Sequence, residues 1–104
     1  MMRGSDEVSA TDQKTQQTWL VEVFVSLKPA VNDPQGLAIK DGLHMLGYSE
    51  VDDVRAGKYM QLHVSGESRA EVESRVQEMC EKLLANTVIE RYRFDVRPVA
   101  GESE

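Results

Sequence analysis

One cysteine, Cys80, is all the thiol chemistry this 104-residue chain holds. That excludes an intramolecular disulfide framework and any zinc site of the multi-cysteine type. Long apolar runs are missing as well: the uninterrupted stretches are a few residues, against the roughly 20 that a membrane-spanning helix needs. The start, Met1-Met2-Arg3-Gly4-Ser5-Asp6-Glu7, has no apolar stretch of the secretory type, so the expected location is the cytoplasm. An excess of positive charge is absent too. Lys and Arg number 12 against 18 Asp and Glu, a formal net charge of −6. A polyanion partner is disfavoured, because non-specific nucleic-acid binding draws on a dense positive field to release counterions. Neither a nucleic acid nor a membrane is the expected partner.

What is present suits one small globular domain: the apolar fraction is 40%, enough for a single core. Such a length leaves no room within one copy for a deep catalytic cleft between domains. The acidity is uneven. Residues 1–17 carry Arg3 and Lys14 against Asp6, Glu7 and Asp12, and residues 101–104 add Glu102 and Glu104. Both stretches are too polar to offset the entropy of ordering them, so 1–17 and 101–104 are expected as disordered tails around a domain at 18–100.

Within that domain the periodicity predicts a strand over about 18–27, with Trp19, Val21, Val23, Val25 and Leu27 on one face and Leu20, Glu22, Phe24 and Ser26 on the other. Asp33-Pro34 is a helix start, a capping carboxylate followed by a residue with no donor to waste. Ala38, Ile39, Gly42, Leu43 and Leu46 form one helical stripe, and Gly47 can end the helix in the left-handed conformation. Val51–Arg55 and Lys58–Val64 read as two short strands joined at Ala56-Gly57. Ser68-Arg69-Ala70-Glu71 is a capping box opening a helix with Val72, Val76, Met79, Cys80 and Leu83 on its buried face, which Asn86 closes. A last strand over about 89–97 alternates Tyr92, Phe94 and Val96 with Arg91, Arg93, Asp95 and Arg97. The expected fold class is therefore α+β: a two-layer sandwich of β-α-β-β-α-β order, ferredoxin-like, with two helices on one face of an antiparallel sheet.

Only one face of such a sheet is covered by helices. The other would carry Leu20, Phe24, His63, Arg91 and Arg93, a mixture of apolar and charged groups typical of association surfaces, and a homodimer or higher homo-oligomer is the expectation there. The arginines are also placed to pair across strands with Glu22.

No catalytic constellation emerges. Cys80 lies in an apolar helical stripe, where a thiol acts as a small hydrophobe. His44 and His63 have no companions at metal-ligand spacing, so no metal site is expected. Glu50, Asp52 and Asp53 read as a solvated edge. Gly57-Lys58 lacks the upstream glycine and the following hydroxyl residue of a phosphate loop. No segment has the aromatic signature of an RNA-binding sheet. From residues alone two readings remain open: a non-catalytic bridging subunit, or a small-molecule-sensing regulatory domain of the ACT type.

Four blocks carry a resemblance. Val25-Ser26-Leu27-Lys28, Asp33-Pro34-Gln35-Gly36, Val54-Arg55-Ala56-Gly57-Lys58-Tyr59-Met60, and the run from Met79 to Glu90 (MCEKLLANTVIE) are similar to the PurS subunit family of phosphoribosylformylglycinamidine synthase, in order over about residues 18–98. The stretch before the first strand is longer than the family's usual start. The resemblance implies an accessory subunit without activity of its own, in a purine-biosynthetic C–N ligase complex. There a glutaminase subunit (PurQ) releases ammonia and a large synthetase subunit (PurL) uses ATP and magnesium; no cofactor is expected on this chain. It implies that Arg55, Lys58, Tyr59, Asn86, Thr87 and Glu90, within those blocks, are candidates for partner contact.

Overall fold

The computed structural model describes residues 16–99. The tails expected at 1–17 and 101–104 lie outside them apart from Gln16 and Gln17. Strand β1 (Gln17–Leu27) is the centre of a three-stranded sheet of order β2-β1-β3, with β2 at Gly57–Gly66 and β3 at Glu90–Pro98, both antiparallel to it. The register pairs Gln17 with Gly66 and Ser26 with Gly57 on one side, and Trp19 with Pro98 and Leu27 with Glu90 on the other. Because side chains alternate along a strand, that register sends Trp19, Val21, Val23 and Val25 to one face, and all four are buried. Helix α1 spans Pro34–Met45 and helix α2 spans Arg69–Met79.

The core forms where α2 lies across the sheet. Val72 and Val76 from the helix, with Cys80 and Ala85 beyond it, close over the β1 valines and Val96. Met60, Leu62, Val64, Tyr92 and Phe94 flank this cluster half-buried. Trp19 closes one end: its indole Nε1 donates to the Gly66 carbonyl at 3.0 Å, and the Arg69 guanidinium lies 5.6 Å from its ring centre while donating to the Val96 carbonyl. The α2 cap is the expected one. Ser68 Oγ accepts from Glu71 N, and the Glu71 carboxylate reaches back to Glu67 N, one residue earlier than the simplest capping box.

The α+β class expected from the sequence, an antiparallel sheet layered with helix, is the one found. Three local expectations are corrected. Residues 51–56 make no strand: their polar groups go to α1 instead, with His44 Nε2 at 2.7 Å from the Val51 carbonyl and Ala56 N donating to Asp33 Oδ2. The next strand begins at Gly57, paired to Ser26, so no hairpin turn forms at Ala56-Gly57.

Leu83 is not buried but 82% exposed. After Met79 the helix widens into a π-turn, Cys80–Leu84, closed by Ala85 N donating to the Cys80 carbonyl at 2.9 Å. The wider turn shifts the helical phase by about one residue, so Leu84 and Ala85 turn inward in place of Leu83. Asn86 accordingly opens a turn toward β3 rather than closing the helix, its Oδ1 accepting from Val88 N.

The third correction is α1. Its start and stop are as expected. Asp33 Oδ1 accepts from Gly36 N, Pro34 occupies the first turn, and Gly47 at φ 101° ends the helix with bonds from Gly47 N to the His44 carbonyl and from Tyr48 N to the Leu43 carbonyl. Its apolar stripe, however, is not laid on the sheet. Only Gly36 is buried in the whole helix, and Leu46 remains 75% exposed.

Candidate functional site

The four sequence blocks that carry the resemblance converge on one end of the sheet, where β1 ends and β2 and β3 begin. Asp33 is its hinge pin. One carboxylate oxygen caps α1 through Gly36 N at 2.9 Å, and the other takes Ala56 N at 2.7 Å, so a single side chain fixes the helix to the entry of β2. Gly36 permits this approach: a Cβ there would stand 2.2 Å from the Val54 carbonyl oxygen. Arg55 works from the same segment. Its Nη2 donates to the carbonyls of Lys28 (3.0 Å) and Val31 (2.9 Å), tying down the loop that leaves β1.

The amide hydrogens of Gly36 and Ala56, with Arg55 close by, hold the Asp33 carboxyl below the usual carboxylate range. A group whose folded-state pKa is depressed contributes stability above its unfolded value near 3.8, and that contribution is lost as the pH falls through the folded pKa. Asp33→Asn is therefore expected to be less stable than the parent at pH 7. The gap in urea midpoint should narrow below about pH 4, once the parent's own carboxyl is protonated. A gap unchanged between pH 7 and pH 3 would contradict the bonding described for Asp33.

Lys58, Glu90, Asn86 and Thr87 sit beside this hinge. No acidic residue stands next to Lys58 in the sequence; the fold supplies one, with Nζ 3.6 Å from Glu90 Oε2. The other Glu90 oxygen accepts from Asn86 N at 2.7 Å, so Glu90 is the better held partner, 16% exposed against 56% for Lys58. Thr87 is exposed in the turn between them. A depression of about 280 Å³ lies here, walled by Ser26, Leu27, Asp33, Gln35, Lys58 and Glu90. Tyr59 is the exception among the candidates. As Lys58's neighbour in the strand it points to the opposite face, where its hydroxyl donates to Glu22 Oε2 at 2.6 Å and accepts from Gln61 Nε2.

That opposite face carries the residues expected to self-associate, and the fold divides them. Phe24 packs on Tyr59 with ring centres 5.2 Å apart, and Arg93 lies 4.0 Å above the Phe24 ring. Arg91 borders the same spot, a hollow of about 370 Å³ shared with Phe24, Ser26 and Arg93. Leu20 and His63 are paired across the strands toward the other end. Glu22, between the two groups, accepts from Arg97 at 3.2 Å, the cross-strand pairing expected of these arginines.

Burial pushes the Cys80 thiol up, away from the thiolate, and no group of three His, Cys, Asp or Glu side chains suited to a metal ion occurs among the described residues. No helix of the described residues is long and apolar enough to cross a membrane. What remains is a rigid sheet end displaying Arg55, Lys58, Asn86 and Thr87 on pinned backbone. The sequence profile described as "PurS: Phosphoribosylformylglycinamidine (FGAM) synthase" matches residues 20–98, the sheet and both helices.

The chain belongs to the PurS family.

The PurS subunit of Bacillus subtilis is 54% identical over 82 residues, 79% of this chain and 96% of that protein. Its solved structure has a TM-score of 0.68, covering 76% of this chain and 98% of that one. The PurS structure from Methanocaldococcus jannaschii, described as one of the subunits of formylglycinamide ribonucleotide amidotransferase in the purine biosynthetic pathway, is 34% identical with a TM-score of 0.71, covering 78% and 98%. A chain of the structure of PurLQS from Thermotoga maritima matches at 30% identity and a TM-score of 0.69, covering 79% and 98%. Membership in the PurS family places the chain with the bridging-subunit reading and away from the ACT type. The missed residue was Asp33. Asp-Pro read as a helix cap, and its second bond to Ala56 joins residues 23 apart in sequence, a contact no local pattern announces.

Proposed function

We propose that this chain is the non-catalytic small subunit of phosphoribosylformylglycinamidine synthase, joining a PurQ-type glutaminase to a PurL-type synthetase in the cytoplasm. The observation that carries the reading is the match, over 79% of this chain and 98% of the other, to a chain of the Thermotoga maritima PurLQS structure. In such a complex the glutaminase hydrolyses glutamine to glutamate and ammonia. The synthetase, with ATP and magnesium, activates the amide oxygen of formylglycinamide ribonucleotide, and ammonia displaces the activated oxygen to leave the amidine. Ammonia is mostly protonated at neutral pH and is then no nucleophile, so keeping two active sites in one closed assembly raises the local concentration of the reactive form. A connector that binds both large subunits supplies this by proximity, without chemistry of its own.

The partner surface we assign is the pinned sheet end. Arg55, Lys58, Asn86 and Thr87 stand there at fixed positions, with Glu90 behind Lys58 and Tyr59 at the edge shared with the open face. A rigid display of this kind favours binding, because little side-chain and loop freedom is left to lose. The open face, Leu20, Phe24, His63, Arg91 and Arg93, is assigned to contact between copies of the chain.

Reconstitution tests the reading. Cognate synthetase and glutaminase are assayed with and without this chain, once with glutamine and once with ammonium salt. Glutamine-driven amidine formation should require the chain and ammonia-driven formation should not. Equal dependence of both rates, or no response of either, would refute the bridge.

A further inference from the structure

Strand β3 is an edge of the sheet, and two bonds fix which of its backbone groups turn outward. Lys28 N donates to the Ile89 carbonyl at 2.8 Å, and Val99 N donates to the Thr18 carbonyl at 3.0 Å. The odd-numbered residues of β3 therefore bond to β1. By the alternation of an antiparallel ladder, Tyr92, Phe94 and Val96 point their N–H and C=O groups away from the sheet. Both ends of this outer row are closed. Glu90 N donates to the Asn86 carbonyl at 2.7 Å, while at the far end Arg69 takes the Val96 carbonyl and Pro98 has no donor. Among the described residues, the row stays open from the Glu90 carbonyl to Val96 N.

The side chains along this row differ between the two faces. Arg91, Arg93 and Arg97 stand against Asp95 on the open side of the sheet, an excess of positive charge in an acidic chain. Tyr92 and Phe94 lie half-buried on the helix side, their rings parallel with centres 6.4 Å apart. The register with β1 is unbroken from Glu90 to Pro98, so no bulge turns the edge away from a further strand. The other edge, β2, has Tyr59, Gln61, His63 and Ser65 on its open side and selects no charge.

We propose that the β3 edge receives an extended segment of a large partner subunit as an added strand, with acidic residues beside the arginines and apolar residues beside Tyr92 and Phe94. Main-chain bonds to the open row hold the segment, and its alternate side chains select it. About five residues span the row. The row starts at Glu90, so this contact is continuous with the pinned sheet end. It rests on the bridging reading for the identity of the partner, a glutaminase or a synthetase.

A second copy of β3 does not fit the same edge. A two-fold antiparallel pairing centred on any residue from Arg91 to Asp95 sets at least one arginine opposite an arginine, and like charges directly opposite are destabilising. Farther along, the Val96 carbonyl is already taken and Pro98 offers no donor.

Hydrogen exchange read residue by residue tests the inference, on the full chain alone and bound to each cognate large subunit. In the free chain the amides of Tyr92 and Phe94 should exchange fast, and those of Arg91, Arg93 and Asp95 slowly. Binding of one large subunit should slow Tyr92 and Phe94 by about 10-fold or more, into line with their neighbours. Tyr92→Pro removes an outward donor and none of the bonds to β1. It should weaken that complex about 10-fold, whereas Tyr92→Val, which loses the same ring and keeps the donor, should stay within about three-fold of the parent. The exchange pattern decides even where the proline variant fails to fold. Protection of Tyr92 and Phe94 already in the free chain, or a complex in which both stay fast, overturns the inference and leaves the bridge standing. Absence of any complex overturns both.

Discussion

Trp19→Ala should remove about 3–5 kcal/mol of stability, the usual range for deleting a large aromatic from a packed core. The indole is 6% exposed and covers the end of the β1 valine row. Its loss leaves a cavity flanked by the pinned Gly66 and Val96 carbonyls, neither of which can move inward without breaking strand pairing. For a domain of this size that is a fall of about 15–25 °C in Tm, measured at one fixed protomer concentration because association shifts Tm by mass action. Trp19→Phe separates the contributions. It keeps most of the packing and gives up the bond to Gly66, so it should cost only about 1 kcal/mol plus the volume difference. Should Trp19→Ala lose less than about 1 kcal/mol, the core would not be organised around β1 as described.

The second large effect is on function. Lys58→Glu should lower glutamine-driven amidine formation by the reconstituted complex about 10- to 100-fold at limiting subunit concentration, as expected when an interface anchor reverses charge. Ammonia-driven formation should stay within about two-fold, since the synthetase chemistry is not on this chain. A structural cause is separable here. The Lys58–Glu90 pair is more than half exposed on the lysine side, and exposed pairs contribute at most about 1 kcal/mol. Glu90→Gln removes the ion pair and keeps a side-chain oxygen for Asn86 N. If Lys58 serves only through its pair with Glu90, Glu90→Gln lowers turnover as far as Lys58→Glu does. If Lys58 meets an acidic group of a partner, Glu90→Gln leaves turnover within about two-fold, and that is the expected result.

Both effects trace back to how much of the molecule is written locally. The valines of β1 recur at every second position, and that period alone fixes which side chains share a face, because successive residues of a strand face opposite ways whatever the neighbours are. Asp33-Pro34, Gly47 and Ser68…Glu71 fix where the helices start and stop, since caps are satisfied within a few residues. Pairing of Glu22 with a β3 arginine was legible for the same reason: once the faces are set, the cross-strand neighbours follow. The blocks resembling the PurS family were legible as well, and they lie where the site forms.

The tertiary structure decided what depends on residues far apart in sequence. Lys58 looks uncompensated until the turn at Asn86 brings Glu90 beside it. Val51–Arg55 has the composition of a short strand, yet the second oxygen of Asp33 and the His44 ring claim its backbone groups first. Leu83 has the spacing of a core residue, and one wide turn at Cys80 moves it to the surface. The stripe of α1 was legible as an apolar face, but the expectation that it lies on the sheet was not met, because both ends of the helix are tied to the 51–56 segment. Periodicity states that a face is apolar; only the long-range contacts state what it can reach.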